Sequence, residues 1–259
     1  MFESFDWSAL AAVVADRRFI AAVAIATLSG LLRGFSGFGS ALIYIPLISA
    51  VYAPRIAAAT MLLIDFAGST PFSIRELPRC KWREVGPVVL SAAAAIPVGS
   101  LALILVDPSV LRWAISAMVG ILLLILASGW RYHGKPTLPV MALVGASSGL
   151  GSGAVQIAGP PVIIFWLGGR QDAATVRANL MVFFMAMNVV GCVTYVAQGL
   201  ISRDVVVLSL ALGPPFLVAF WVGARFFHAA SDTTYRWIAY GIVALAALVS
   251  LPLFDGLFR

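Results

Sequence analysis

Eight long apolar segments account for most of this sequence and constrain its fold more than any other feature. Breaks at charge, Pro and Gly clusters leave segments at 19–50, 56–74, 85–106, 110–130, 138–168, 174–198, 204–228 and 233–254. A helix needs about 20 predominantly apolar residues to cross a bilayer. The segments are too long and too uniformly apolar for the alternating strands of an outer-membrane barrel. They therefore predict an all-helical, multi-pass membrane protein.

The composition supports this class, because 61% of the 259 residues are hydrophobic and only 11% are charged. Soluble domains are about a quarter charged, so we expect a lipid bilayer around the chain. The net charge of +6 would suggest a nucleic-acid partner in a soluble protein. In a membrane protein, a positive net charge is expected because Lys and Arg are enriched in the cytoplasmic loops. The early charged residues are acidic and no basic n-region precedes the first apolar segment, which argues against a cleaved signal peptide. We predict a multi-pass protein of the cytoplasmic (inner) membrane.

The two halves of the chain resemble each other. The stretch SVLRWAISAMVGILLLILAS at 109–128 aligns with TTYRWIAYGIVALAALVS at 233–250. The glycine-rich stretches also correspond, Gly37 with Gly151, Gly39 with Gly153 and Pro46 with Pro160. We therefore predict an internal duplication with repeats 1–135 and 136–259, each of four segments, within one membrane domain.

Segments 19–50 and 138–168 are too long for one plain crossing and too short for two. Each carries a Gly/Ser interruption, GFSGFG at 34–39 and GLGSG at 149–153. Each segment is either one tilted, broken helix or two half-helices that return to the same side. Returning half-helices place more Lys and Arg on the side of the basic loop 75–83, as the positive-inside rule favours. The charge count therefore favours returning half-helices and inverted repeats.

Two such breaks, one from each half, would face a shared point near the middle of the membrane. Irregular backbone is tolerated there only against protein or a wet cavity, and half-helix N-termini present N–H groups to an anion. Secondary transporters build their sites in this way. Alternatively, the glycines serve only close helix packing. We predict a substrate-binding set of Arg33, Gly34, Ser36, Gly37, Gly39, Ser40, Gly151, Ser152, Gly153, Gln156 and Asn179. The prolines that mark the breaks are Pro46, Pro160 and Pro161.

Arg33 and Asp65 are the charged residues that most need an explanation. An arginine inside a membrane segment costs at least about 2.5 kcal/mol, so Arg33 should face a cavity or a partner. Its guanidinium suits an oxyanion, although it could also snorkel or simply neutralise Asp65. Asp65, unpaired, could carry a proton with the solute; paired with Arg33, it would be scaffolding. Neutral groups of the second half, Asn188 among them, could bind solute or hold helices together.

Other functions are weaker alternatives. A passive anion channel would use the two breaks as a filter. An intramembrane serine protease is a remote alternative, because GFSG at 34–37 contains the G-x-S-G string of rhomboid-type enzymes but needs a histidine within reach. The two histidines, His133 and His228, fall in a loop and near a helix end. Cys80 and Cys192 lack metal-ligand spacing. We predict no enzyme activity, no metal and no cofactor.

The glycine motifs with their following prolines, GFSGFGSALIYIP and SGLGSGAVQIAGPP, resemble the TauE/SafE sulfite-exporter family. The resemblance covers about residues 19 to 254. It implies a carrier with seven or eight spans for sulfite, sulfonates such as sulfoacetate and other sulfur-containing anions, with proton coupling as a hypothesis. The motif positions are Gly34, Gly37, Gly39, Pro46, Gly149, Gly151, Gly153 and Pro160. The first repeat departs from the commoner pattern at Phe35, Phe38 and Ser40. Arg33 and Asp65 rest on the physical argument alone.

Overall fold

The computed structural model describes residues 11, 13–36, 40–128, 134, 136–167 and 171–226. This part of the chain contains helices and connecting turns and no strand. The helices are α1 Arg17–Ser36, α2 Ser40–Val51, α3 Pro54–Glu76, α4 Trp82–Leu105, α5 Pro108–Ala127, α6 Leu138–Val155, α7 Gly159–Leu167, α8 Ala173–Ala197 and α9 Arg203–Phe226.

Six of the helices in the described ranges, α1, α3, α4, α6, α8 and α9, are long and apolar enough to cross a membrane. The prediction of an all-helical, multi-pass protein is thereby confirmed. The segments 19–50 and 138–168 each form a long helix followed by a short one, of 12 residues in α2 and 9 in α7. Neither short helix reaches the roughly 20 residues that a crossing needs. The predicted segment 233–254 lies outside the described residues.

Helix α1 packs along α9 through glycines. A Cβ atom on Gly30 or Gly34 would overlap the carbonyl oxygen of Phe216 or Phe220, respectively. Small residues at such positions let two backbones approach closely in a membrane. From Gly30 to Gly34 the contact moves four residues toward the C-terminus on α1, and from Phe216 to Phe220 it moves four residues toward the C-terminus on α9. The two helices therefore run parallel.

Helix α6 packs on α4 in the same manner. A Cβ atom on Gly149 would overlap the carbonyl of Ala92, and one on Gly153 would overlap that of Ile96. These contacts also advance together, so α4 and α6 are parallel as well. Close helix packing was the alternative role that the sequence left open for the glycines. The structure shows this role for Gly34, Gly149 and Gly153.

The α1–α2 segment returns to the face from which it starts. The guanidinium of Arg18, at the start of α1, lies over the ring of Tyr52 just after α2, with 5.5 Å from Cζ to the ring centroid. The α6–α7 segment also returns. Its first helix runs parallel to α4, and Gln171, which follows α7, donates a hydrogen bond to Glu84 in the first turn of α4.

The two returning segments start from opposite faces of the protein. We call the end that carries Arg75 to Arg83 the 75–83 face and the opposite end the Arg55 face. Arg55 donates hydrogen bonds to the carbonyls of Leu103 and Ile104 at the end of α4, so α3 begins where α4 finishes. Val205 near the start of α9 packs in one cluster with Leu103. Since α1 is parallel to α9, it starts at the Arg55 face, whereas α6 starts at the 75–83 face.

Candidate functional site

Each returning segment contains two separate helices, and the residues between them are described only in the second segment. Helix α1 ends at Ser36 and α2 begins at Ser40, and the residues between them lie outside the described part. Helix α6 ends at Val155, and Gln156 takes a left-handed conformation with φ 58° and ψ 19°. The predicted break at Gly149–Gly153 is therefore displaced, because α6 continues through that motif and packs its glycines on α4. The irregular residues are 156–158.

The three predicted break prolines all lie within the short helices. Pro46 is buried inside α2 and does not end that helix. Pro160 and Pro161 fall in the first turn of α7, where a missing N–H group leaves no helical hydrogen bond unmade. The prolines therefore accompany the short helices and do not form the breaks themselves.

A cavity of about 40 Å³ lies between the two returning segments. One water molecule needs about 10–15 Å³, so the space suffices for water or a compact solute group. Its polar lining consists of Arg33, Ser40, Asp65, Ser152, Gln156 and Asn188. Both halves of the chain thus contribute polar side chains to one buried space.

Arg33 and Asp65 form an ion pair in the wall of this cavity. Nη2 of Arg33 lies 3.0 Å from Oδ2 of Asp65, and the two residues are only 5% and 7% exposed. Cζ of Arg33 also lies 5.1 Å from the ring centroid of Phe184, within the range of a cation–π contact. Of the roles open to Arg33, the structure shows neutralisation of Asp65 at the cavity wall.

The two carboxylate oxygens of Asp65 have different surroundings. Oδ2 accepts hydrogen bonds from Arg33 and from Nδ2 of Asn188 at 2.9 Å, and the Ser69 hydroxyl lies 3.5 Å away. Oδ1 is buried and has no hydrogen-bond partner among the described residues. A buried carboxylate oxygen without a donor is costly, so Oδ1 is an acceptor that the described residues leave unsatisfied.

Gln156 presents a second unsatisfied group. Its carboxamide nitrogen is buried near the Tyr195 hydroxyl but outside hydrogen-bond geometry, so it has no partner in the described part of the chain. The Tyr195 hydroxyl donates instead to the carbonyl of Gly153 at 2.7 Å. A left-handed non-glycine residue is strained by about 1–2 kcal/mol. Gln156 is therefore held in an unfavourable conformation with a hydrogen-bond donor at the cavity.

The structure brings four residues of the predicted substrate-binding set and the predicted proton carrier to the wall of one cavity. Arg33, Ser40, Ser152, Gln156 and Asp65 line the cavity. Gly151 acts through its carbonyl, which accepts the N–H of Ile157 at 3.1 Å. Gly37, Gly39 and the side chain of Ser36 lie outside the described residues, as do His133 and His228 of the protease alternative.

Asn179, a member of the predicted substrate-binding set, does not line this cavity. Its Oδ1 accepts the backbone N–H of Lys81 at 2.9 Å, and its Nδ2 donates to Gln171 at 3.2 Å. Asn188, a polar residue left out of that set, lines the cavity instead. The two asparagines lie roughly 13 Å apart along α8, so only one can reach a site near the middle of the membrane. Phe184 precedes Asn188 by four residues, a spacing that places both on one helix face.

Membrane-crossing helices around a buried polar cavity define a multi-pass membrane transport protein. The profile of the family Sulfite exporter TauE/SafE matches residues 22–250, and the chain belongs to this family. It is similar to the probable sulfite/organosulfonate exporter TauE of Cupriavidus necator, with 27% identity over 232 residues that cover 84% of this chain and 88% of that protein. No solved structure matches this chain.

Proposed function

We propose that this protein is a secondary transporter that exports small sulfur-containing anions, such as sulfite or organosulfonates, across the cytoplasmic membrane. The substrate would bind in the cavity between the two returning segments. Membership of the TauE/SafE family and the similarity to an exporter support the substrate class. The observation that carries the site is the buried guanidinium of Arg33 at the cavity wall, because a membrane-buried arginine usually marks a substrate or ion pathway.

We further propose that residues 1–135 and 136–259 form inverted repeats around this site. The opposite starting faces of the α1–α2 and α6–α7 segments support this proposal. The helix packing supports it too, because the first helix of each half packs on a helix of the other half: α1 packs on α9, and α6 packs on α4. A site at the meeting point of inverted repeats can be opened to each side in turn by rocking one part against the other.

The ion pair suggests how a proton would be coupled to the anion. With Asp65 ionised, the charge of Arg33 is already neutralised, and an incoming anion competes with the carboxylate for the guanidinium. A proton on the unpartnered Oδ1 would remove that competition and leave the guanidinium charge for the anion. Proton and anion would then favour each other's binding, and this coupling is reciprocal. A carrier that moves both together runs in either direction, and it exports when the outward anion gradient exceeds the inward proton gradient.

Uptake of radiolabelled sulfite into proteoliposomes, with and without an acid-outside pH gradient, tests this function. We expect saturable, gradient-driven uptake by the wild type. Arg33→Gln should lower it at least about tenfold, because hydrogen bonds to a charged group are among the strongest in proteins. Asp65→Asn should retain uptake but lose its response to the gradient, since it mimics the protonated acid.

Arg79→Gln is the matched control, because Arg79 is an exposed arginine on the 75–83 face. It should transport like the wild type. Undiminished uptake by Arg33→Gln would remove the cavity from the mechanism. Flux that neither saturates nor follows the gradient would replace the carrier with a passive anion channel.

A further inference from the structure

The cavity between the two returning segments has a continuous apolar wall. Four of its lining residues pack in a single apolar cluster that joins α7 to α8, namely Ala158, Ile163, Phe184 and Met187. The ring of Phe184 also lies 5.1 Å from Cζ of Arg33, so this wall begins beside the guanidinium. A solute bound to Arg33 therefore has apolar side chains next to it.

The two short helices present different N-termini to this cavity. The first three residues of α2, 40–42, line the cavity, and the first four N–H groups of a helix have no partner within that helix. Helix α7 begins at Gly159 and continues with Pro160 and Pro161, and proline has no N–H group. The positive end of a helix favours an anion, but only α2 adds a row of N–H donors at the cavity.

Two serine hydroxyls are independent donors for a bound anion. Ser40 and Ser152 are each 2% exposed and line the cavity, and neither hydroxyl has a hydrogen-bond partner within the described ranges. Ser29, Ser49 and Ser148 also lack a partner, but their oxygens are almost fully enclosed by protein, which the oxygens of the two cavity serines are not. A hydroxyl can rotate to donate to whatever acceptor is present. The two cavity serines, one from each half of the chain, can therefore donate to an occupant of this cavity.

We infer that the cavity binds an organosulfonate in one fixed orientation. The sulfonate oxygens accept hydrogen bonds from the N-terminus of α2, from the hydroxyls of Ser40 and Ser152 and from the guanidinium of Arg33. The carbon substituent then lies against the apolar wall of α7 and α8. This orientation rests on the proposed function, and it adds which end of the substrate each part of the lining recognises.

Gly159 sets the space for the carbon substituent. It lines the cavity, and a Cβ atom on it would lie 3.0 Å from Cδ1 of Ile163 and 3.6 Å from Cζ of Phe184. Both side chains belong to the apolar wall, so an added methyl group takes space beside the wall and leaves the oxyanion donors in place. One methylene group more or less in an apolar pocket changes specificity about 10–200-fold. Gly159 is therefore a specificity-determining residue for the carbon end.

Uptake of labelled sulfite and of labelled methanesulfonate into the same proteoliposomes tests this orientation, because methanesulfonate adds a methyl group to the shared oxyanion. Gly159→Ala should raise the KM of methanesulfonate relative to that of sulfite at least about tenfold. Ser40→Ala and Ser152→Ala should each raise the KM of both anions about tenfold and leave their ratio unchanged. The reason is that each loses one hydrogen bond to the charged end that the two anions share.

Matched controls separate these effects from a general loss of structure. Gly213→Ala adds a methyl group where it meets open space, and Ser209→Ala removes a buried hydroxyl of α9 that does not line the cavity. Both should transport the two anions like the wild type. Ile163→Val removes a methyl group from the apolar wall and should shift the KM ratio in the direction opposite to Gly159→Ala. It decides the matter if Gly159→Ala does not fold.

An unchanged KM ratio in Gly159→Ala and Ile163→Val would overturn the assignment of the carbon end, and so would wild-type uptake of sulfite without methanesulfonate. KM values of Ser40→Ala and Ser152→Ala equal to those of Ser209→Ala would overturn the assignment of the oxyanion end. Absence of saturable wild-type uptake of either anion would refute the proposed function itself. Failure of the orientation is therefore distinguishable from failure of the transporter assignment.

Discussion

Asn188 donates a hydrogen bond of 2.9 Å to the same carboxylate oxygen of Asp65 that receives Arg33. This contact joins α8, in the second half of the chain, to the ion pair of the first half. It also holds Asp65 so that one oxygen accepts several hydrogen bonds and the other accepts none from the described residues. Asn188 is thus a positioning residue for the carboxylate that we propose as the proton carrier.

Asn188→Ala should lower stability, because it removes a buried hydrogen bond to a charged group, which is worth about 1.5–3 kcal/mol. Thermal unfolding in detergent measures the loss, with the exposed neighbour change Val189→Ala as the control. In an Asp65→Asn background the same substitution should cost much less, because the charged acceptor is gone. Equal costs in both backgrounds would show that Asn188 acts independently of Asp65.

Gly34→Ala and Gly153→Ala should each destabilise the protein by about 1–3 kcal/mol, the usual cost of overpacking. The new methyl group would overlap the backbone carbonyls of Phe220 and Ile96, respectively, so whole helices would have to move. Gly213→Ala on α9 is the matched control, since a Cβ atom there meets open space. Thermal unfolding compares the three. Unfolding of Gly34→Ala and Gly153→Ala at the temperature of Gly213→Ala would refute the close approach of these helices.

Two substitutions at Gln156 separate its backbone from its side chain. Gln156→Gly and Gln156→Ala both remove the carboxamide, so both should weaken sulfite uptake to a similar extent. Only glycine tolerates φ 58° without strain, and we therefore expect the glycine variant to unfold at a higher temperature than the alanine variant. If the alanine variant alone loses transport, the backbone conformation matters to the site and the carboxamide does not.

Cysteine labelling with a membrane-impermeant maleimide should report the orientation. Trp82→Cys, at an exposed position on the 75–83 face, should react only from the cytoplasmic side. Val110→Cys, exposed on the Arg55 face, should react only from outside. Native Cys80 should contribute little background, because burial raises the pKa of its thiol to about 11 and the thiolate is the reactive form. Labelling of both new cysteines from one side would contradict the opposite faces described for α4 and α5.

The charged part of the site could be predicted from the sequence, and its neutral part could not. Arg33 and Asp65 stand out because charges inside membrane segments are costly and need partners. Asn179 and Asn188 look alike in sequence, and only the depth of each along α8 decides which one reaches the cavity. The length of α6 was also beyond prediction. Glycines predict a break as readily as a close helix contact, and the packing on α4 decides between the two.

The packing of α1 on α9, a helix from the other half of the chain, has a consequence for how the protein is made. The helix Arg17–Ser36 is synthesised before the other described helices, but the backbone on which its glycines pack belongs to Arg203–Phe226, which is synthesised after them. Until then α1 lies in the membrane without its closest neighbour, whereas α6 finds α4 already in place. Assembly of the first returning segment therefore waits for translation of α9, and a nascent chain halted after residue 135 would hold that segment without its packing partner.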